Sequence, residues 1–393
     1  MEKKKVYLDN SATTAVLPEV VEAMKPYFYD IYGNASSFHS FGRDAKKALD
    51  AARAKVASII NASSDEIIFT CGGTESDNMA IFGILKAYGK KGHVITTKIE
   101  HHAVLYSCRE LEKQGHEVTY LEVDKNGVIS PEDFKKAVKD NTLLVTIMHA
   151  NNEVGSIQPI AEISAILKEI NSSRKDKVYF HTDAVQTAGK IKLDVKKPGV
   201  DLLAISGHKF GAPKGVGALY VKKGTNIENI VFGGNQENSK RPGTENIPYI
   251  IGMAKALEIA DAELANHNKH VLALREKLKK GILAQIPEII INASADNAVA
   301  NILSVSFHYI EGEALLLKLD MHGIAASSGS ACATGEPSHV LAAMGADPIA
   351  AQGTVRFSFS FQNTFEEVDF VLSVLPKAVE SLRAMSPVWQ NKK

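Results

Sequence analysis

From about residue 66 the chain alternates short apolar runs with segments whose apolar residues recur every three or four positions. EIIFTCGG, HVITTK, EVTYLEV, TLLVTIMHA, VYFHTDAV, DLLAIS and GALYVK are short, rich in β-branched residues and bounded by turn formers, which predicts strands. AIFGILKAYG, AVLYSCRELEKQG, PEDFKKAVKD and IAEISAILKEI carry helical spacing between them. Strand alternating with helix predicts an α/β unit, a mainly parallel central sheet flanked by helices. Ligands of such sheets gather at the carboxyl ends of the strands. After Gly243 the pattern changes. One long helical region is predicted over about residues 246–283, then the strand ILSVSF, the helical EGEALLLKLD and HVLAAM, the strand TVRFSFSF, and a terminal helix from about 365. These predict a smaller α+β domain. The expected division is a large domain over residues 15–260 and a small one built from 1–14 and 261–393.

A chain of 393 residues exceeds one ordinary core, in keeping with about two domains. The 45 basic residues balance 45 acidic ones, which removes any bulk electrostatic case for nucleic acid or an anionic membrane. No stretch approaches the roughly 18 apolar residues of a membrane helix. MEKKKVYLDN has no apolar run behind its lysines, so no signal peptide is expected. Cys71, Cys108 and Cys332 are too few and too scattered for a disulfide framework. A cytoplasmic location is expected, where a free thiol can serve chemistry.

Several polar residues follow the predicted strands. In DLLAISGHKFGAPKG, Lys209 leaves the sheet beside Ser206 and His208, where partial desolvation would make its amine a nucleophile. In VYFHTDAVQ, Asp183 and Gln186 emerge at the same edge; Asp183 either holds a ring nitrogen protonated or caps the next segment. FTCGGTESDN turns through Gly73 and Thr74 into a helix, an arrangement suited to an anion and equally to an ordinary helix start. His101 and Asn152 follow two further strands, each with a structural alternative. Cys71 reads as a small packing residue. Arg356 lies inside a strand and needs a carboxylate, the protein's own or a substrate's. Cys332, in SSGSACATGE, sits among small polar residues that favour an exposed, mobile loop and a reactive thiol. A metal site from His101, His102 and Cys108 is not expected, because adjacent histidines face different ways.

Taken together, SGHK, HTDAVQ, EHHAVL, MHANNEVG, RPGTEN and SSGSAC, in this order, resemble the cysteine desulfurases of the iron–sulfur-assembly and nitrogen-fixation type. These belong to the class V aminotransferase-like, fold-type-I pyridoxal-phosphate enzymes. The resemblance runs from YLDNSATT to LRAMSPVW, and SSGSAC looks like the first desulfurase group. It implies pyridoxal 5'-phosphate as cofactor, L-cysteine as substrate, a homodimer, and a sulfur-acceptor or iron–sulfur scaffold protein as partner. It implies Lys209 as the amine that bonds the cofactor aldehyde and Asp183 as the partner of the ring nitrogen. His101 would stack on the ring and shuttle protons, with Asn152 and Gln186 near the ring oxygen. Gly73, Thr74, Ser206 and His208 would hold the phosphate, joined by Thr244 of a neighbouring subunit. Arg356 would clamp the substrate carboxylate with Asn34 near it, and Cys332 would accept the sulfur. Between Cys332 and PSHVL the chain is a little shorter than that group's usual loop. The nearest rival, a lyase for selenocysteine or a related amino acid, has no need of the Cys332 thiol.

Overall fold

The computed structural model describes residues 5–293, 297–328 and 338–390. After β1 (Val6–Tyr7), seven strands form one sheet: β2 (Ile67–Thr70), β3 (His93–Thr97), β4 (Glu117–Leu121), β5 (Thr142–Thr146), β6 (Tyr179–Asp183), β7 (Leu202–Ser206) and β8 (Gly217–Val221). Their order is β2-β8-β7-β6-β5-β3-β4. The run from β4 to β7 is parallel, while β8 lies antiparallel to both β7 and β2. All seven apolar runs read as strands are strands.

The sheet is covered on both faces, because successive strand residues point to opposite sides. Ile68, Val94, Leu144 and Leu202 pack on one face against Ile81, Ile84, Val104 and Leu111 of helices Gly73–Tyr88 and His102–Lys113. Their neighbours Phe69, Ile95, Val145 and Leu203 pack on the other face, in a core that includes Leu49 and Val56 of helix Ser40–Ile59 and Met253 and Leu257 of helix Ile247–Ala262. Fully buried strands such as β5 (TLLVT) and β7 (LLAIS) therefore read as runs of consecutive apolar residues rather than alternating ones.

A second core is built around β9 (Ile289–Asn292), β10 (Ile302–Phe307) and β12 (Thr354–Ser358), an antiparallel sheet of order β12-β10-β9. Leu303, Val305, Phe307 and Phe357 pack there with Leu274 and Leu278 of helix Leu264–Gln285 and Val371 and Leu375 of helix Phe365–Met385. Val6 and Leu8 join this core, and β1 pairs in parallel with β11 (Ile324–Ala325). An isolated bridge links Asp9 to Ser358. The first residues thus pass from the second core to the edge of the large sheet.

The region 246–283, expected as one helix, is two. Helix Ile247–Ala262 ends at Glu263 (φ −103°, ψ 10°), and helix Leu264–Gln285 begins at the next residue. Neither glycine nor proline marks the break, and the apolar spacing runs through it.

One buried ion pair fixes the segment that leads into RPGTEN. Glu237 has left-handed backbone (φ 47°) and a fully covered side chain. Both its oxygens accept from Arg53 at 2.6 Å, and one also accepts from the Phe69 amide at 2.9 Å. Replacing Arg53 by Met leaves that carboxylate buried without its cation. We expect a loss of about 3 kcal/mol, measured by urea unfolding.

Candidate active site

Five of the large sheet's strands end at one cavity of about 490 Å³, which faces the second core. Gly73 and Thr74 follow β2, His101 follows β3, and Met148, Ala150 and Asn152 follow β5. Asp183 ends β6, Ser206 ends β7, and His208 and Lys209 lie just beyond β7. The opposite wall comes from Asp9, Ser11 and Ala12 of the first segment, with Ser327 and Arg356.

Lys209 closes a single 3-10 turn, Gly207–Lys209, directly after β7. Its Nζ donates to the carbonyls of Ser11 (2.7 Å) and Ala12 (2.8 Å). Burial and the nearby Arg356 cation push its pKa down to about 8, against the pull of Asp183 and Asp9. A substantial share of the amine is therefore neutral near pH 7–8. In cofactor-free protein, the rate at which Lys209 is captured by an aldehyde should rise up to about pH 8 and then level off. An ordinary lysine would keep gaining reactivity toward 10.5, so stopped-flow absorbance on adding pyridoxal phosphate separates the two.

Asp183 is buried at the end of β6, and its Oδ1 accepts from the Val185 amide at 2.8 Å. Burial raises its pKa to about 6, although that bond and Lys209 pull the other way. A carboxylate held in so dry a place favours a cationic partner. Gln186, one turn on, donates to the Ser11 carbonyl at 3.0 Å. It thus shares that acceptor with Lys209.

His101 caps helix His102–Lys113: its Nδ1 accepts from the Ala103 amide at 3.1 Å. The neutral ring therefore carries its proton on Nε2. Burial, with Lys209 and the imidazoles of His102 and His339, lowers its pKa to about 4. At neutral pH His101 is an uncharged ring able to lie against another ring. His208 is also neutral, pushed to about 4 by burial and Lys209, with Nδ1 3.1 Å from Thr13 Oγ1.

Helix Gly73–Tyr88 aims its first turn at the cavity, and Ser206 lies alongside. The free N–H groups of a helix start, beside the Thr74 hydroxyl, form an anion cradle. A Cβ on Gly73 would stand 2.7 Å from Val185 Cγ2, and one on Gly217 would stand 2.7 Å from Gly72 Cα. Both glycines let the turn close against the sheet. Cys71, expected as a packing residue, is exposed instead, its backbone amide bonded to Glu75.

Arg356 on β12 is 4% exposed. It donates from Nη2 to Asp9 Oδ1 and from Nη1 to the Asn152 carbonyl, both at 2.7 Å. The carboxylate that a strand arginine requires is here the protein's own Asp9, a residue not singled out in the sequence. Asn34 is exposed, its Oδ1 accepting from the Ser36 amide, and it does not line the cavity. Thr244 is likewise exposed and outside the lining, in a segment tied to the Thr74 turn by Arg241, which pairs with Glu75 at 2.9 Å. Cys332 lies outside the described residues. No group of three or more His, Cys, Asp or Glu is placed to hold a metal ion among the described residues.

A lysine amine of lowered basicity, a buried carboxylate, an anion-binding helix start and a guanidinium surround one cavity at the carboxyl edge of a mainly parallel sheet. This donor set fits pyridoxal phosphate: amine for aldehyde, carboxylate for ring nitrogen, helix start for phosphate. Fold and site together define a fold-type-I pyridoxal-phosphate enzyme. The chain belongs to the class-V aminotransferase family, whose model matches residues 6–371. It is 49% identical over 392 residues to the cysteine desulfurase IscS of Dictyoglomus turgidum, covering 99% of this chain and 98% of that one. It is 51% identical over 390 residues to the cysteine desulfurase IscS of Methanosarcina thermophila, covering 98% and 95%. A solved NifS-like protein superposes with a TM-score of 0.91 at 41% identity, over 96% of this chain and all of that one. A structure described as SspA in complex with cysteine matches with a TM-score of 0.80 at 36% identity, over 92% of this chain and all of that one.

Proposed function

We propose that the chain is a pyridoxal-phosphate-dependent cysteine desulfurase that converts L-cysteine to L-alanine and supplies sulfur for iron–sulfur assembly. The single observation that carries this reading is the pairing across one cavity of the Lys209 amine and the Arg356 guanidinium, an α-amino-acid site facing a cofactor site. The full-length likeness to cysteine desulfurases supports the substrate.

Bound pyridoxal phosphate supplies an electron sink that accepts the pair left when the substrate's α-proton is removed. The remaining work falls to the chain. Thr74, Ser206 and His208 would hold the phosphate with the helix start, Asp183 would hold the ring nitrogen's proton, and His101, Asn152 and Gln186 would hold the rest of the ring. Arg356, already oriented by Asp9 and the Asn152 carbonyl, takes the substrate carboxylate. Lys209, neutral in part near pH 8, takes the α-proton and returns it to carbon. The Cys332 thiol accepts the sulfur: the substrate Cβ–Sγ bond breaks, an S–S bond forms, and Cβ gains a hydrogen. The sulfur is oxidised to the persulfide level as the carbon is reduced to alanine, so no outside oxidant enters.

Replacing Arg356 by Gln removes the carboxylate clamp and leaves Asp9 without its cation. We expect the KM for L-cysteine to rise about 100-fold with a smaller change in kcat, measured by alanine formation. The test of the whole reading is equal release of alanine and sulfide from L-cysteine by the pyridoxal-phosphate-loaded protein with a thiol reductant. Release of pyruvate and ammonia in place of alanine would make it a lyase.

The working unit of this reading is a homodimer in the cytoplasm. Phe28, Tyr29, Tyr32, Phe38 and Phe41 are all exposed within one short stretch around Asn34, which a partner subunit would cover. Thr244 would then reach the phosphate of the opposite subunit. No helix among the described residues is long and apolar enough to cross a membrane. A sulfur-acceptor or scaffold protein would discharge Cys332. Residues 15–260 form the cofactor-binding domain, and 1–14 with 261–393 form the domain that carries Cys332.

A further inference from the structure

Among the described residues, the cavity lining carries three carboxylates, of Asp9, Asp77 and Asp183. Asp9 is neutralised by Arg356. Asp77 and Asp183 remain, both buried and both at the floor of the same cavity. A ring nitrogen brings one positive charge, which matches one of them. Two carboxylates buried in one dry site oppose each other's ionisation, and the one with fewer donors and the more distant cation keeps its proton more readily.

The hydrogen bonds decide which. Asp183 accepts from the Val185 amide at 2.8 Å, which favours its charged form. Asp77 sits in the first turns of helix Gly73–Tyr88, 1% exposed, and its Oδ1 has no hydrogen-bond partner. What faces Oδ1 is His181 Nε2, 3.5 Å away, also buried and also without a partner. Two unpartnered buried polar atoms so placed are a hydrogen bond waiting to shorten, because each is costly alone. His181 lies two residues before Asp183 on β6, and its Nδ1 is 2.8 Å from Thr146 Oγ1. Full burial keeps its ring neutral. If Nδ1 carries the proton and donates to Thr146, Nε2 is an acceptor, and a protonated Asp77 is the donor it lacks.

We propose that Asp77 is a positioning residue held as a neutral carboxyl, its O–H given to His181 Nε2, so that the one negative charge opposite the ring nitrogen rests on Asp183. The line runs Asp77 O–H to His181 Nε2, then His181 Nδ1–H to Thr146 Oγ1. It keeps the second carboxyl from competing for the ring's proton. Burial, with Asp183 and Glu100 nearby, shifts Asp77 strongly in this direction. Glu100, another buried acid of this region, accepts from the Met148 amide and the Thr97 hydroxyl rather than facing His181, and burial raises its pKa to about 8, so it carries a carboxyl signal of its own.

This inference rests on the cofactor reading above, and infrared difference spectroscopy on the pyridoxal-phosphate-loaded protein tests it separately. The cofactor's visible absorbance is recorded on the same samples. The expected result is a protonated-carboxyl C=O band in the wild type that Asp77→Asn removes, Glu100→Gln leaves in place and His181→Asn shifts. A loaded wild type whose spectrum minus that of Asp77→Asn lacks such a band overturns the proposal and leaves the cofactor reading standing. A wild type that takes up no cofactor overturns the reading beneath it. Should Asp77→Asn fail to fold, His181→Asn carries the test, and a band that this change leaves unmoved contradicts the proposal.

Discussion

Lys209→Ala should lower alanine formation from L-cysteine by at least about 10³-fold, and the purified variant should lack the visible absorbance of a bonded cofactor. Two functions go with one amine. The variant loses the nucleophile that fixes the aldehyde, and it loses the base that moves the α-proton. Few other groups in the cavity can substitute. His101 is held near pKa 4 by burial and by the nearby Lys209, so it is a poor base for a carbon acid. His208 is equally depressed. Lys190 is a second amine with a pKa lowered to about 7, but it bonds to Gln186 and does not line the cavity. Pyridoxal phosphate added in excess should still bind through the phosphate cradle, so affinity would fall less than turnover does. Retention of turnover within about tenfold of wild type would remove Lys209 from the chemistry.

Cys332→Ala should lower sulfide and alanine formation together, by about 100-fold or more, while leaving the visible absorbance of the loaded protein in place. The thiolate is the nucleophile toward the substrate sulfur, and the loss of a nucleophile is not offset by binding alone. The two variants thus separate the halves of the reaction: Lys209→Ala alters the cofactor, Cys332→Ala only the sulfur. Sulfide release surviving in Cys332→Ala together with pyruvate would mean direct elimination.

Much of this was legible in the chain because strands covered on both faces favour apolar and β-branched residues on both sides. That preference shows in the apolar centres of β5 and β7, with short β-branched runs marking the other strands, and the site residues follow at their carboxyl ends. Lys209, Asp183, His101 and Thr74 could be placed at one edge for that reason alone. What escaped notice lacked such a local signal. The break at Glu263 has no glycine or proline, so the helical spacing passes through it unmarked. Strand β9 is short and its exposure is mixed, which hides its alternation. Asp9 pairs with Arg356 from 347 positions away, and no spacing rule finds such a partner. Asp77 and His181 had weak signals: Asp77 stands three residues past Thr74, and His181 shares a strand face with Asp183. Asn34 and Thr244 are implied by the resemblance alone, and both lie outside the cavity of their own chain.

The most direct measurement of the central claim is the mass of the intact loaded protein after mixing with one equivalent of L-cysteine and no reductant, followed by peptide mapping. The account predicts one added sulfur atom per chain, located on the peptide that contains Cys332 and removed by a thiol, with one alanine formed for each sulfur gained. Alanine formed without added mass, or added sulfur on Cys71 or Cys108, would contradict it.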